Sequence, residues 1–237
     1  MKVVAIIPTA GKGKRMGANI SKQYLFLLGR PVLAHTVRVF EESKKIDSIV
    51  LVVHKGDEGY CKREIVEKFG FRKVTHILAG GRERQDSVRA GLNVVDPDCE
   101  LVIIHDGVRP LIFPEIITES INAAKKFGAS VVAVPVKDTV KEVSKEGTIH
   151  CTLPRENLWM VQTPQVFRYD IIREAHAKAH TNGFLSTDDS ALVEKFGNKV
   201  CIVEGSYENI KLTTQEDMMI AEVLMEARRE NESRTRL

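Results

Sequence analysis

The stretch VVAIIPTAGKGKRMGANISKQ, residues 3–23, joins a continuous apolar run to a basic loop that contains three glycines. The loop carries four cations, Lys12, Lys14, Arg15 and Lys22, and no acidic residue. An uninterrupted apolar strand is typical of a parallel sheet covered by helices on both faces, and a glycine loop at its carboxyl end is typical of anion binding. The stretch therefore predicts an α/β protein whose first loop cradles phosphate.

The pattern of the first strand recurs along the chain. Further apolar runs of strand length alternate with segments of helical spacing, and these runs are SIVLVVH, VTHILAG, ELVIIHD and ASVVAVPV. Later segments predict a helix near 170–180, a short strand in KVCIVEG and a final helix from about Thr214. Alternating strands and helices predict a doubly wound, mostly parallel sheet.

One segment breaks this alternation. TVKEVS and TIHCTL flank Lys145, Glu146 and Gly147, and this arrangement predicts a β-hairpin with glycine at its turn. A lone two-stranded hairpin is marginally stable in water. We therefore expect residues 137–157 to project as an arm that packs on a partner surface, most simply a second copy of the chain.

The composition bounds the class of protein. The 237 residues are 43% hydrophobic and 28% charged, and the formal net charge of +3 is spread along the chain. These values are typical of a globular domain, and the chain lacks the basic tract with which a protein neutralises many nucleic-acid phosphates. No apolar run reaches the length of a bilayer span. We expect one domain over 1–237 that binds small anions, with neither nucleic acid nor membrane as a partner.

The cysteines favour a reducing compartment. Cys61, Cys99, Cys151 and Cys201 lie far apart, with no C-x-x-C pair and no histidine at zinc spacing, so neither a disulfide framework nor a zinc site is indicated. No apolar stretch of the signal type precedes the first strand. We therefore expect a cytoplasmic protein.

The opening loop fails both common phosphate-loop patterns. The dinucleotide fingerprint requires G-x-G-x-x-G, but after Gly11 and Gly13 the third glycine is Gly17, one residue late, and no G-x-x-x-x-G-K-[ST] is present. What remains resembles the signature loop of nucleotidyltransferases that condense a nucleoside triphosphate with a phosphorylated substrate. In such a site Arg15 could fork onto two phosphate oxygens and Lys22 could supply a point charge. A solvated basic loop is the alternative.

Two further turns follow predicted strands. Gly80 and Gly81 precede a helix, where backbone N–H groups can bind an anion or a base edge, although a plain turn and cap would look the same. Asp106 ends a strand and could hold Mg²⁺ through an oxygen, with Arg109 close by. An aspartate that caps the following loop is the alternative.

The remaining polar motifs are weak one at a time. Thr163 and Thr187 supply hydroxyls, Asp188 and Asp189 supply carboxylates, and Lys211 follows the last predicted strand. Threonine-proline and threonine-aspartate pairs are common in turns and helix caps. Their order along the chain is what carries information.

The complete series of motifs is AGKGKRMG with KQ, GGRERQDSVRAGL, HDGVRP, QTPQVF, TDDSALVE and NIKLTTQED. It resembles the cytidylyltransferase family that makes 4-diphosphocytidyl-2-C-methyl-D-erythritol from CTP and 2-C-methyl-D-erythritol 4-phosphate. The resemblance runs from the first strand to the last helix. It implies a Rossmann-like nucleotidyltransferase of the non-mevalonate isoprenoid route, Mg²⁺ as cofactor, and a homodimer in which the arm completes the neighbour's site.

The resemblance also implies roles for individual residues at the nucleotide. Arg15 and Lys22 would stabilise the transition state at the α-phosphate. The backbone of Ala10, Gly11, Lys12 and Gly13 would cradle the triphosphate, and Gly81 and Ser87 would lie against cytosine.

At the second substrate, the resemblance implies that Asp106 and Arg109 lie between metal, CTP and the methylerythritol phosphate. Arg155 and Lys211 would hold that phosphate for attack. Further hydroxyls would lie nearby, from Thr139, Thr163 and Thr187. Thr139 and Arg155 belong to the arm, so they would act on the partner's substrate.

The chain departs from the family pattern at Thr9, where alanine is usual, at Ser21, where proline is usual, and at Glu208, where aspartate is usual. Glu208 leaves a local substrate contact open. A sister family that acts on D-ribitol 5-phosphate shares nearly the same motifs and is the nearest alternative. A nucleotide-binding module without turnover is a more distant one, disfavoured because it needs no paired cations on both reacting phosphates.

The histidines and the single tryptophan are assigned to structure. His35, His54, His76 and His105 lie in or beside apolar runs, where packing or ordinary hydrogen bonding is expected. A general base is not needed, because the attacking phosphate is already an anion at neutral pH. Trp159 is interpreted as a core or dimer contact.

Overall fold

The structure is a computed structural model that describes residues 1–11 and 21–235. Within those residues the strands are β1 (Val3–Thr9), β2 (Phe26–Leu27), β3 (Arg30–Pro31), β4 (Ser48–Val53), β5 (Val74–Ala79), β6 (Leu101–Ile104), β7 (Ala129–Pro135), β8 (Lys141–Val143), β9 (Ile149–Thr152), β10 (Trp159–Arg168) and β11 (Cys201–Glu204). The helices are α1 (Val32–Glu42), α2 (Glu58–Cys61), α3 (Arg84–Leu92), α4 (Pro114–Phe127), α5 (Tyr169–Thr181), α6 (Asp189–Lys195) and α7 (Gln215–Thr235). A π-helical segment, Lys62–Glu67, continues α2, and 3₁₀ turns cover Lys22–Tyr24 and Arg155–Asn157.

Seven strands form the central sheet in the order β11-β7-β10-β6-β1-β4-β5. Six of them run parallel, and β10 runs antiparallel to both of its neighbours, β6 and β7. The predicted doubly wound, mostly parallel sheet is confirmed. The sequence did not predict a strand in β10, whose pairing with β7 shifts register between Val161 and Gln165, around Pro164.

Helices cover both faces of this sheet because the strands present apolar side chains on both faces. Odd-numbered residues of β1 pack in one core with α1, α4 and the α2 region. Even-numbered residues pack in a second core with α3, α5 and α6. A third, smaller core joins α7 to the β2–β3 turn and to the loop after β6. None of the helices in the described ranges combines the length and hydropathy of a membrane span.

The connections place a switch in strand order at the carboxyl edge of the sheet. From β1 the chain moves outward through β4 and β5, and then returns to place β6 on the other side of β1. Ligands of open α/β sheets bind at such a switch point, because the loops that follow the two strands diverge and leave a crevice. Thr9 at the end of β1 and Asp106 just after β6 flank this crevice.

The predicted hairpin is also present, as β8 and β9. Its turn contains Gly147 at φ 83°, a left-handed conformation that favours glycine. Val143 pairs with Ile149 across the hairpin, and both side chains are exposed, to 53% and 64%. Exposed apolar side chains are expected on an arm that packs against a partner surface, and that surface stays a prediction.

Candidate active site

Two adjoining clefts lie at the carboxyl edge of the sheet. The first cleft is lined by the end of β1, the Lys22–Tyr24 turn, the end of β5 and the start of α3. Its lining includes Ala10, Gly11, Lys22, Gly81 and Ser87. The second cleft is lined by the middle of β10 and the start of α6. Its lining also includes Arg109, which follows β6, together with Thr163 and Thr187. Three side chains line both clefts: Arg84, Asp106 and Lys211. The boundary between the clefts is therefore made of charged groups.

Close backbone packing brings the β5 turn against the first loop. Gly80 donates its N–H to the Val53 carbonyl at 2.7 Å, and a Cβ at this position would overlap the Cβ of Ala10 and lie 2.8 Å from Ser87 Oγ. Gly81 donates its N–H to Ser87 Oγ at 3.2 Å. The glycine pair thus lets the predicted phosphate and base surfaces approach each other.

The start of α3 is closed by its own side chains. The Glu83 side chain accepts a hydrogen bond from the backbone of Asp86, and the Asp86 side chain accepts one from the backbone of Glu83, which together form a capping box. The predicted helix start is therefore present. Asp86 already pairs with the Glu83 N–H, so the anion-binding surface here is the turn before the helix.

Lys22 is positioned by buried neighbours. Gln23 and Tyr24 are 1% and 5% exposed, and the Tyr24 ring meets the Tyr60 ring edge-on at 4.8 Å between centroids. Tyr24 N–H donates to the Ser21 carbonyl at 2.9 Å, a backbone bond that does not depend on the Ser21 side chain. The turn is thus fixed to α2, with Lys22 lining the first cleft.

Asp106 is the buried acid at the centre of the site, with its side chain 8% exposed. One carboxylate oxygen lies 3.1 Å from Arg84 Nε, and the other lies 2.8 Å from Lys211 Nζ and 3.6 Å from Arg109 Nε. Burial by itself would raise the pKa of Asp106, but the charges of Arg84, Lys211 and Arg109 outweigh burial and hold the pKa well below its usual range. Asp106 is an anion at any physiological pH.

Neighbouring polar groups fix the backbone around Asp106. Its N–H donates to Thr163 Oγ1 at 3.0 Å. Asn209 Nδ2 donates to the Thr163 carbonyl at 2.9 Å, and Arg109 Nη1 donates to the Asn209 carbonyl at 2.7 Å. The loop that carries Lys211 is thereby tied to β10 and to the turn after β6.

The histidine in the HD motif is structural, as expected. His105 is fully buried, and its Nε2 donates to the Arg109 carbonyl at 3.1 Å. Burial lowers the pKa of His105 to about 4, so the ring is neutral. It shapes the turn that presents Arg109 and does not face either cleft.

The structure brings together most of the residues predicted from sequence, and leaves others apart. Thr139 and Arg155 line neither cleft, and Arg155 Nη1 donates to the Lys137 carbonyl at 3.0 Å at the base of the arm. Lys12, Gly13 and Arg15 lie outside the described residues. The roles assigned to all of these residues stay predictions.

The open contact of Glu208 has an answer in the structure. Its carboxylate accepts hydrogen bonds from Arg228 Nε at 2.9 Å and Nη2 at 2.7 Å, and the Arg228 guanidinium lies 3.7 Å from the centroid of the Phe113 ring. Glu208 lines neither cleft. This glutamate therefore anchors α7.

Sequence reasoning missed Arg84, Asn209 and the pairing of Arg84 with Asp189. Arg84 lies within the quoted GGRERQ motif, so its position beside the glycine turn was a usable signal. Asn209 precedes Lys211 in the NIK motif, but its amide contacts with Gln162 and Thr163 are not encoded locally. Asp189 follows Asp188 in a pattern that by itself indicates only a helix cap.

A carboxylate that orients cations toward two adjoining clefts suits an enzyme that joins two phosphorylated molecules, and the fold and site together define a nucleotidyltransferase. The family model that matches the chain, over residues 3–227, is IspD, 2-C-methyl-D-erythritol 4-phosphate cytidylyltransferase. The chain belongs to this family.

Individual relatives agree over nearly the whole chain. The 2-C-methyl-D-erythritol 4-phosphate cytidylyltransferase of Geotalea uraniireducens (strain Rf4) is 50% identical over 96% of this chain and 98% of its own. The enzyme of the same description from Pelotomaculum thermopropionicum is 51% identical over 96% and 95%. The crystal structure of the 4-diphosphocytidyl-2C-methyl-D-erythritol synthase from Anaerococcus prevotii DSM 20548 superposes with a TM-score of 0.84 at 38% identity, covering 95% of this chain and 96% of that one.

Proposed function

We propose that this protein transfers the cytidylyl group of CTP to 2-C-methyl-D-erythritol 4-phosphate, giving 4-diphosphocytidyl-2-C-methyl-D-erythritol and pyrophosphate in non-mevalonate isoprenoid biosynthesis. The observation that carries the proposal is the family match over residues 3–227. It disfavours the ribitol phosphate alternative, because the family and the relatives described above are named for methylerythritol phosphate. Four free thiols, at positions 61, 99, 151 and 201, support a cytoplasmic location.

The first cleft is proposed to bind CTP. The backbone from Ala10 to Gly13 would cradle the triphosphate, while Gly81 and Ser87 would contact cytosine. Arg15 and Lys22 would stabilise the charge that develops at the α-phosphorus and on the leaving pyrophosphate. Preorganisation supports this role for Lys22, because Gln23 and Tyr24 fix its turn before the substrate arrives.

The second cleft is proposed to bind the polyol phosphate. Its phosphate oxygen attacks the α-phosphorus directly, so the protein must position it and offset its charge. Arg109 lines this cleft and Lys211 lines both clefts, and both would bind the phosphate, with Thr163 and Thr187 as hydroxyl donors. Asp106 would hold the Lys211 and Arg109 side chains in place until the substrate phosphate binds them instead.

A divalent metal fits this site as an ion carried by the substrate. Among the described residues there is no cluster of three or more acidic, histidine or cysteine side chains that could hold one. Asp106 is a single carboxylate already facing three cations, and Mg²⁺ is commonly bound by one or two carboxylates together with substrate phosphates. We propose that Asp106 contributes one oxygen to Mg²⁺ on the CTP triphosphate, where the ion would offset phosphate charge.

The arm is proposed to complete the site of a second copy. Thr139 and Arg155 lie outside both clefts of their own chain, and the arm exposes Val143 and Ile149. A homodimer with exchanged arms would bury these apolar side chains and bring Arg155 to the neighbour's polyol phosphate.

The test is pyrophosphate release with CTP and one of three additions: methylerythritol 4-phosphate, ribitol 5-phosphate or no acceptor. We expect release with methylerythritol 4-phosphate alone. Equal or faster release with ribitol 5-phosphate would favour the sister activity. CTP binding without release in any of the three would favour a binding module.

A further inference from the structure

A second buried carboxylate lies behind Asp106 and is joined to it by one arginine. The Arg84 guanidinium places Nε 3.1 Å from Asp106 Oδ1 and Nη1 2.5 Å from Asp189 Oδ2. The Asp189 side chain is 1% exposed. An arginine fork can hold two carboxylates in fixed directions, which a lysine ammonium cannot do.

Asp189 is itself held on its far side. His176 Nε2 donates to Asp189 Oδ1 at 3.0 Å, and the Asp189 N–H donates to Gln165 Oε1 at 3.1 Å. Gln165 Nε2 donates in turn to Asp188 Oδ2 at 2.6 Å. Burial alone would raise the pKa of Asp189, but Arg84 and His176 outweigh burial and lower it, so the group is ionised.

This network determines which carboxylate oxygen of Asp106 faces which cation. Asp189 neutralises Arg84, and Arg84 occupies Oδ1 of Asp106, so Oδ2 is left to face Lys211 and Arg109. If the charge of Asp189 were removed, Arg84 would keep Asp106 as its sole anionic partner in this network and would compete more strongly with Lys211 and Arg109 for it. Lys211 and Arg109 would then lose their fixed orientation.

We propose that Arg84 and Asp189 are positioning residues that act through Asp106 to orient Lys211 and Arg109 toward the attacking phosphate. The proposal deepens the proposed function and rests on it. A merely structural alternative is that the buried pair only fastens α6 to α3, in which case its loss would lower stability and affect both substrates alike.

The experiment is a double-mutant cycle on the full chain. Asp189→Asn and Arg84→Lys are each made in the native sequence and in Asp106→Asn, and kcat, KM for each substrate and the thermal midpoint are measured. In the native sequence we expect kcat/KM for methylerythritol 4-phosphate to fall about 10- to 100-fold, with KM for CTP little changed. In Asp106→Asn the same substitutions should have almost no further effect, because their route of action is gone.

Asp170→Asn is the matched control. It removes the same charge from another arginine-aspartate pair, with Arg168 Nη2 at 2.7 Å, which is exposed and lies outside both clefts. We expect unchanged kinetics. If native protein and this control both fail to use methylerythritol 4-phosphate, the proposed function is wrong, whereas the inference alone is wrong if they succeed and the cycle is additive.

Folding defects are separated by the second variant. Asp189→Asn leaves a buried arginine with one carboxylate fewer and could lower the thermal midpoint. Arg84→Lys keeps the positive charge and removes the fork, so it carries the test if Asp189→Asn does not unfold cooperatively. The inference would be overturned if kcat/KM fell equally for both substrates and the fall followed the decrease in thermal midpoint.

Discussion

Asp106 shows how much a single residue depends on its surroundings. Its carboxylate is buried, yet three cations within 3.6 Å keep it ionised. Such a group serves as a stand-in for phosphate, because it holds the cations in place while the clefts are empty of substrate. Removal of the Asp106 carboxylate should therefore change the orientation of these cations, in addition to removing any metal contact.

Lys22 gives the most direct test at the residue scale. We expect Lys22→Ala to lower kcat by about 100- to 1,000-fold, because in the proposed mechanism it removes a preorganised charge at the reacting phosphate, with a smaller effect on CTP affinity. Arg15→Ala carries the same expectation. Steady-state kinetics and CTP titration measure the two effects, with Lys62→Ala as an exposed lysine control. Near-normal kcat in Lys22→Ala would remove the lysine from the mechanism.

His105 predicts a pH dependence of stability. Its pKa is lowered to about 4 in the folded protein from 6.5, so an unfolded chain binds a proton that the folded chain does not. Stability should be fully present above pH 6.5 and fall on acidification toward pH 4, by up to about 1.4 kcal/mol per pH unit.

His105→Gln isolates this contribution, because a glutamine amide can still donate to the Arg109 carbonyl. Urea unfolding at pH 7 and pH 5 should show a smaller pH effect in the variant than in the native chain. His35 also has a lowered pKa because of burial, but it is common to both proteins and cancels. An identical pH effect in both would contradict the assignment.

At the scale of elements, the site depends on how closely two turns meet. The β5 turn reaches the first loop only because Gly80 has no side chain. We expect Gly80→Ala to push Ala10 and Ser87 apart, lower kcat/KM for CTP about 10- to 100-fold and lower stability by about 1–3 kcal/mol.

Gly59→Ala is the control for this substitution. A Cβ at Gly59 would meet the flexible end of Arg63 at 3.5 Å, and alanine in a helix is favourable relative to glycine. Kinetics of the control should match the native enzyme. If Gly80→Ala kept a native KM for CTP, the close approach of the turns would have no role in binding.

The strand β10 shows where prediction from sequence ended. Runs such as β1 and the turn after β6 are predictable because their signals are local, whereas β10 contains Pro164, which cannot donate a hydrogen bond and interrupts an ordinary strand pattern. The contact between Arg84 and Asp189 joins residues 105 positions apart, so no local pattern encodes it. The glycine turns and the cations could be predicted from motifs, but the pairing of Arg84 with Asp189 behind Asp106 depends on the fold.

At the scale of the whole molecule, shared sites can be tested by mixing subunits. Lys22→Ala and Arg155→Ala chains should each be nearly inactive alone, because in the proposed site each would lack a cation at one of the reacting phosphates. Mixed and exchanged, they should recover partial activity, since one hybrid site would carry both native residues. No recovery after verified subunit exchange would rule out a site shared through the arm.

The position of β10 between β6 and β7 also constrains the order in which the molecule assembles. The half-sheet β5-β4-β1-β6 has all its strands once residue 104 has been synthesised, but β6 and β7 become connected only when β10 inserts between them. The Asp106 N–H gains its acceptor, Thr163 Oγ1, at that same moment. A nascent chain shorter than about 170 residues would therefore expose an unfinished sheet edge and would lack the β10 residues that line the second cleft, which makes sheet closure and completion of the site a single late event during synthesis.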